Sequence, residues 1–195
     1  MDIFTKKHSF LVGIDSDGCA FDTMELKHKE CFIPNTINYY HLQAISKYAR
    51  EAAEFVNLYS KSRGINRFPA LIETLEWLQK RPEVRARGVS VAVPPTLARW
   101  CKEETKLGNP ALQAAVNSSG DEALKQALAW SKAVNDSVAA MVRGVPPFPY
   151  VRECLHKMSE QADLIVCSAT PNDADRKSTR LNSSHIPLSR MPSSA

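Results

Sequence analysis

Two short apolar runs, SFLVGI at residues 9–14 and DLIVCS at residues 163–168, lie at opposite ends of the chain with a long stretch of helical periodicity between them. Each run is too short for a helix and ends at small or acidic residues. That is the pattern of a buried parallel strand whose C-terminal end opens into a functional turn. Just before the second run, PPFPYVRECLHKMSEQ supplies prolines suited to a helix start and places Val151, Leu155 and Met158 at helical spacing. The order helix then strand is expected there, so the two strands would belong to one parallel sheet.

Between them lies an insertion of roughly 120 residues that reads as helices. MELKHKECFI is expected to form a short helix ending at Pro34. Next, TINYYHLQAISKYAREAAEFVNLYSKSR carries Ile37, Tyr40, Ile45, Tyr48, Ala52, Phe55 and Tyr59 on one stripe and stops near Gly64. Further helices are expected at 69–80, 95–106, 110–117 and 121–142, punctuated by Gly88, Pro94–Pro95, Gly108–Asn109–Pro110 and Gly144–Pro147. The Arg81–Arg87 stretch reads as a polar loop. The fold class expected is α/β: a partial Rossmann-like parallel sheet core, residues 1–23 and 146–174, interrupted by a large inserted all-helical cap over 24–145.

The formal net charge of +4 hints at an anionic partner until its location is considered. Arg176, Lys177, Arg180 and Arg190 all lie in the last twenty residues, which hold no acid, and the rest of the chain is balanced against its 21 acids. Basicity therefore lends no support to nucleic-acid binding. That same stretch has six serines and no hydrophobic period. DRKSTRLNSSH followed by SRMPSSA resembles the conceptual translation of a common short-read sequencing adapter. Residues 175–195 are thus expected to be a non-native, disordered tail, and the natural protein to continue past Ala174. Cys19, Cys31, Cys101, Cys154 and Cys167 stand singly, with no C-x-x-C pair, which argues against a disulfide framework or a zinc site. No export signal and no apolar run of membrane-spanning length is visible, so a cytoplasmic protein without membrane partners is expected.

The chemistry concentrates in FLVGIDSDGCAFDTM. A strand ending in Asp15-Ser16-Asp17-Gly18 holds one carboxylate at its tip, where open parallel sheets place their ligands, and a second two residues on. Gly18 permits a tight turn, and Asp22-Thr23 can cap a helix beginning near Met24. Two carboxylates so spaced can divide labour, one attacking an electrophile and the other moving a proton at the leaving group. Phosphorus is the natural electrophile, and a hard divalent cation, Mg²⁺, would offset the repulsion among carboxylates and phosphate.

These residues resemble the haloacid dehalogenase superfamily of phosphohydrolases, whose first motif is an apolar strand followed by D-x-D-G and often a downstream D-T. Asp15, Asp17, Gly18, Asp22 and Thr23 match it. The superfamily's second motif, an apolar strand ending in Ser or Thr, is matched by LIVCSAT with Ser168 at the strand end. The resemblance implies that Asp15 is the phosphoryl-accepting nucleophile and Asp17 the general acid/base. Ser168, with Gly18 and Ala169, would bind the phosphoryl group, and Asp15 with the backbone carbonyl of Asp17 would hold Mg²⁺. It also implies a small phosphorylated substrate and makes the helical insertion a cap of the first type. A lysine and a late acidic pair should follow Ser168. Lys177 falls only nine residues beyond it, inside the adapter-like segment, and is not assigned that role. On this reading residues 1–195 are an inactive fragment of the enzyme.

Other readings fit less well. A calcium loop starting at Asp15 would need Gly and Glu where the chain has Ala20 and Leu26. A phospho-receiver domain leaves D-x-D-G and the insertion unexplained, and a dehalogenase has no use for an acid at position 17. A phosphomutase of the same superfamily, or a helical interaction module on a degenerate α/β scaffold, stays open. Asp22 and Thr23 read as a structural cap, and Cys19 and Cys167 as space-filling. His28, His41 and the tyrosines of the insertion read as packing or surface residues, while Lys27, His28 and Lys29 fit either a contact with an anionic substrate or a solvated helix face.

Overall fold

The computed structural model describes residues 5–167 together with the pair 189–190. These form a mixed α/β chain, mostly helical, with one small parallel sheet and two compact units. One unit comprises the described residues of 1–26 and 139–195, the other residues 27–138.

In the first unit, β1 (Phe10–Ile14) pairs in parallel with β2 (Ala162–Val166), Phe10 opposite Ala162 and Ile14 opposite Val166. Helix α9 (Val151–Ser159) precedes β2, as the prolines and the 151/155/158 spacing require. It packs Leu155, Val151 and Met158 with Ala162, Leu164, Val12 and Ile14 into a small core. The expectation of two buried strands holds for β2, whose first four residues are buried, but not for β1. Phe10 is 72% and Leu11 55% exposed, because β1 lies at the sheet edge and β2 is its one strand neighbour among the described residues. The other edge of β2 carries β3 (Ser189–Arg190), paired in parallel with Ile165 and Val166. Ser189 and Arg190 are extended there, alongside the N–H and C=O groups that a strand edge offers.

Two side-chain details fix this sheet. Gly13 lies so close to Cys167 that a Cβ there would come within 2.9 Å of its Sγ. Buried Asp163, at the start of β2, accepts backbone N–H groups from Lys7 (2.9 Å) and His8 (3.1 Å), tying down the chain that leads into β1.

The second unit is helical throughout. From α1 (Met24–Leu26) the chain passes through a π-type segment (Lys27–Phe32) into α2 (Ile33–Tyr39). Pro34 does not end the helix as expected. It sits in the first turn of α2, where a missing N–H costs little. The single long helix expected over 36–63 is instead broken at His41, whose φ of 54° lies in the left-handed region. It resumes as a 3₁₀ turn (Gln43–Ile45), α3 (Ser46–Glu54) and a second π-type segment (Phe55–Tyr59). The stripe is accordingly split: Ile37, Ile45 and Ala52 are buried, but Phe55 and Tyr59 are exposed. Helix α4 (Arg67–Lys80) begins two residues earlier than expected because Asn66 caps it, its Oδ1 accepting from Phe68 N at 3.0 Å.

RPEVRAR is not a loop. Pro82–Ala86 forms a short helix, α5, that buries Val84. Helices α6 (Pro95–Glu103), α7 (Asn109–Ser119) and α8 (Glu122–Met141) follow. The core of this unit gathers Leu71, Leu75 and Leu78 of α4 with Leu97, Leu112, Leu128 and Val134 around the fully buried rings of Phe68 and Trp130. Among the described residues, no helix is long and apolar enough to cross a membrane.

Candidate active site

The parallel register makes β1 and β2 end together: Cys167 N donates to Ile14 O at 2.8 Å, and the next residue of β1's chain is Asp15. From there to Thr23 the backbone folds into a tight loop. Ser16 O accepts from both Ala20 N (3.1 Å) and Phe21 N (2.9 Å), and Gly18 N donates to Phe21 O at 2.8 Å. Gly18 has φ +71°, a conformation that L side chains rarely adopt, which explains glycine at this point of D-x-D-G. The loop is anchored from the other chain segment of the unit by Phe148 N donating to Ala20 O and by a bridge between Phe21 and Pro147.

This loop brings the two carboxylates onto one short stretch at the strand tip, and Oδ1 of each accepts a hydrogen bond. Asp15 is exposed, and its Oδ1 accepts from Ser16 N at 2.7 Å. Asp17 is partly buried, and its Oδ1 accepts from the hydroxyl of buried Thr23. Thr23, expected only as a helix cap, therefore also orients the second carboxylate. The D-T that follows D-x-D-G was the available signal, since six residues separate Thr23 from Asp17 across a loop that closes on itself. Gly18 was expected among the phosphate-binding groups, but its N–H is spent inside the loop, so its visible part is to turn the chain. Ser168 and Ala169 lie outside the described residues.

For a divalent cation, the donor chemistry fits in part. Asp15 and Asp17 offer hard carboxylate oxygens two positions apart, with backbone carbonyls between them. Among the described residues no three of His, Cys, Asp and Glu converge, so the loop by itself would leave most of a metal's coordination to water. Cys19 and Cys167 are both exposed rather than space-filling. In the helical unit His28 is buried with its ring 4.8 Å from that of Phe32, a packing role as expected. Comparison with protein-family models, with curated proteins and with solved structures finds no match.

Proposed function

We propose that this chain carries the nucleophile loop of a Mg²⁺-dependent phosphohydrolase of the haloacid dehalogenase type, with a Rossmann-like core and an inserted helical cap. The observation that carries the reading is the loop itself: a parallel strand ends in two carboxylates two positions apart, one exposed at the tip and the other held by a dedicated hydroxyl. In the proposed reaction the exposed carboxylate of Asp15 attacks the phosphorus of a small phosphate monoester. The P–O bond to the leaving alcohol breaks as the Asp15–phosphorus bond forms, and Asp17 gives its proton to the leaving oxygen. Asp17 then takes a proton from water, which attacks the aspartyl-phosphate and releases inorganic phosphate, restoring Asp15. Thr23 keeps Asp17 facing the same reacting atoms in both steps. Asp15 and the Asp17 carbonyl would hold Mg²⁺, which when bound offsets negative charge around the phosphoryl group. Ser168 would donate a hydrogen bond to a phosphoryl oxygen, and the helical unit would select a small phosphorylated substrate and exclude water in a cytoplasmic enzyme.

The reading expects a lysine and an acidic pair after Ser168, so the test uses the product of the parent gene read past Ala174. It should release phosphate from generic monoesters only when Mg²⁺ is present, and Asp15→Asn should abolish turnover. Unchanged Mg²⁺-dependent turnover in that variant would sink the assignment.

A further inference from the structure

The outer edge of β1 is open to another strand. Ile14 turns its backbone groups toward β2, since its carbonyl accepts from Cys167 N at 2.8 Å in a register that sets Ile14 opposite Val166. Backbone groups alternate in direction along a strand, so those of Leu11 and Gly13 face away from β2, where no described strand meets them. The devices that usually guard such an edge are missing: FLVGI contains no charge and no proline, and its register with β2 runs without a bulge. Phe10 and Leu11 are the exposed large apolar side chains of this strand, beside half-buried Val12 and Ile14.

The charges at the two ends of the strand select what fits that edge. Lys6 and Lys7 lead into β1 and Asp15 leaves it; all three are exposed, and among the described residues none of them enters an ion pair. A second β1 laid alongside in parallel would set lysine against lysine and aspartate against aspartate. Laid antiparallel, it brings each Asp15 toward the Lys6–Lys7 end of the other strand. A two-fold axis through Val12, the middle residue of Phe10–Ile14, then places Leu11 of one copy opposite Gly13 of the other, and Phe10 opposite Ile14. Leu11 and Gly13 exchange both N–H···O bonds, since theirs are the groups that face the edge. Phe10 meets Ile14 at the closer, non-hydrogen-bonded spacing, on the face where Val12 and Ile14 already pack with Leu155.

We propose that two copies of the 195-residue chain pair through β1, antiparallel about a two-fold axis at Val12, into one continuous sheet. The contact is isologous, so each copy spends its open β1 edge on the other and the assembly closes at two. A five-residue ladder is small for a stable interface, which makes the dimer a weak one, with a dissociation constant of about 0.1 mM. The pairing uses residues 6–15 alone and requires nothing of the phosphoryl chemistry at Asp15.

Sedimentation equilibrium of the chain, with reductant present so that its exposed cysteines form no linked pairs, should show the mass rise from 21.7 kDa at about 10 µM toward twice that value at about 1 mM. Over the same range the Leu11 and Gly13 amides should gain protection from hydrogen exchange, while those of Val12 and Ile14, already turned to β2, should not change. Leu11→Pro removes an N–H that faces the open edge, a position where an edge strand tolerates proline, and should abolish the mass increase. Lys6→Glu and Asp15→Lys, at exposed positions outside β1, should each weaken association about threefold or more, and the double variant should recover most of the loss. A constant monomer mass, growth beyond two copies, or a dimer that survives Leu11→Pro would overturn the proposal. Leu11 and Gly13 amides protected equally at every concentration, the sign of another segment of the same chain on the edge, would overturn it too, as would charge variants whose losses simply add.

Discussion

Leu78→Ala tests whether the helical unit has a core of its own. Leu78 is fully buried in α4 and belongs to the large helical core, which shares no residue with the small core around Leu155, Ala162 and Leu164. The substitution removes three carbons. At about 0.8 kcal/mol per buried methylene the transfer loss alone is about 2.4 kcal/mol. The cavity left among the neighbouring side chains raises the expected loss to about 3–5 kcal/mol. Urea unfolding followed by tryptophan emission reads this unit selectively, because Trp77, Trp100 and Trp130, the chain's three tryptophans, all lie within residues 27–138. The emission midpoint should fall without a change in slope. Ile65→Ala, at a residue 41% exposed, should shift it by less than about 0.5 kcal/mol. A loss below about 1 kcal/mol for Leu78→Ala, or equal effects of the two substitutions, would refute the packing argument.

Two further predictions concern the sheet unit. Backbone N–H groups of Lys7 and then His8 hold the Asp163 carboxyl below its ordinary value of 3.8, outweighing the opposing effect of burial. A depressed folded-state value contributes stability that is present above the unfolded value and lost as pH falls through the folded one. Asp163→Asn should therefore be less stable than wild type near neutrality, with the gap closing below about pH 4; a gap that persists or widens in acid, in paired denaturation series, would contradict this. In the parent gene's product, Thr23→Val removes the hydroxyl that donates to Asp17. A charge-assisted hydrogen bond worth about 1.5–3 kcal/mol corresponds to about tenfold to hundredfold in rate. The loss should fall on kcat more than on KM, whereas a change in KM alone would show that Thr23 serves only the fold.

Local signals carried most of the elements. The apolar runs at 9–14 and 163–168 became β1 and β2 within a residue or two, since short apolar segments flanked by acid and glycine have few other uses. Pro95, the Gly108–Asn109–Pro110 punctuation and the 151/155/158 spacing located α6, α7 and α9 for equally local reasons. Readings failed where a non-local partner decides. Nothing in TINYYHLQ shows that His41 will turn left-handed and split a stripe that is helical on paper. Val84 makes a loop-like basic stretch into a helix only because a core waits to receive it. In the site, D-x-D-G located the carboxylates and explained Gly18, but the partners that hold them came from the closure of the loop. Thr23 reads as a helix cap until its hydroxyl is seen on Asp17, and Asp163 reads as the edge of a strand until the Lys7 and His8 amides are seen on it.

Phosphoryl transfer to Asp15 is tested most directly by trapping the covalent adduct. The parent gene's product, mixed with a phosphate monoester and Mg²⁺ and quenched in acid during turnover, should yield a phosphorylated peptide by mass spectrometry. The label should map to Asp15, should vanish in Asp15→Asn, and should persist longer in Asp17→Asn if formation of the adduct is less impaired than its hydrolysis. A phosphoryl group on any other side chain, or phosphate release from an active preparation in which Asp15 is never modified, would contradict the proposed chemistry at the tip of β1.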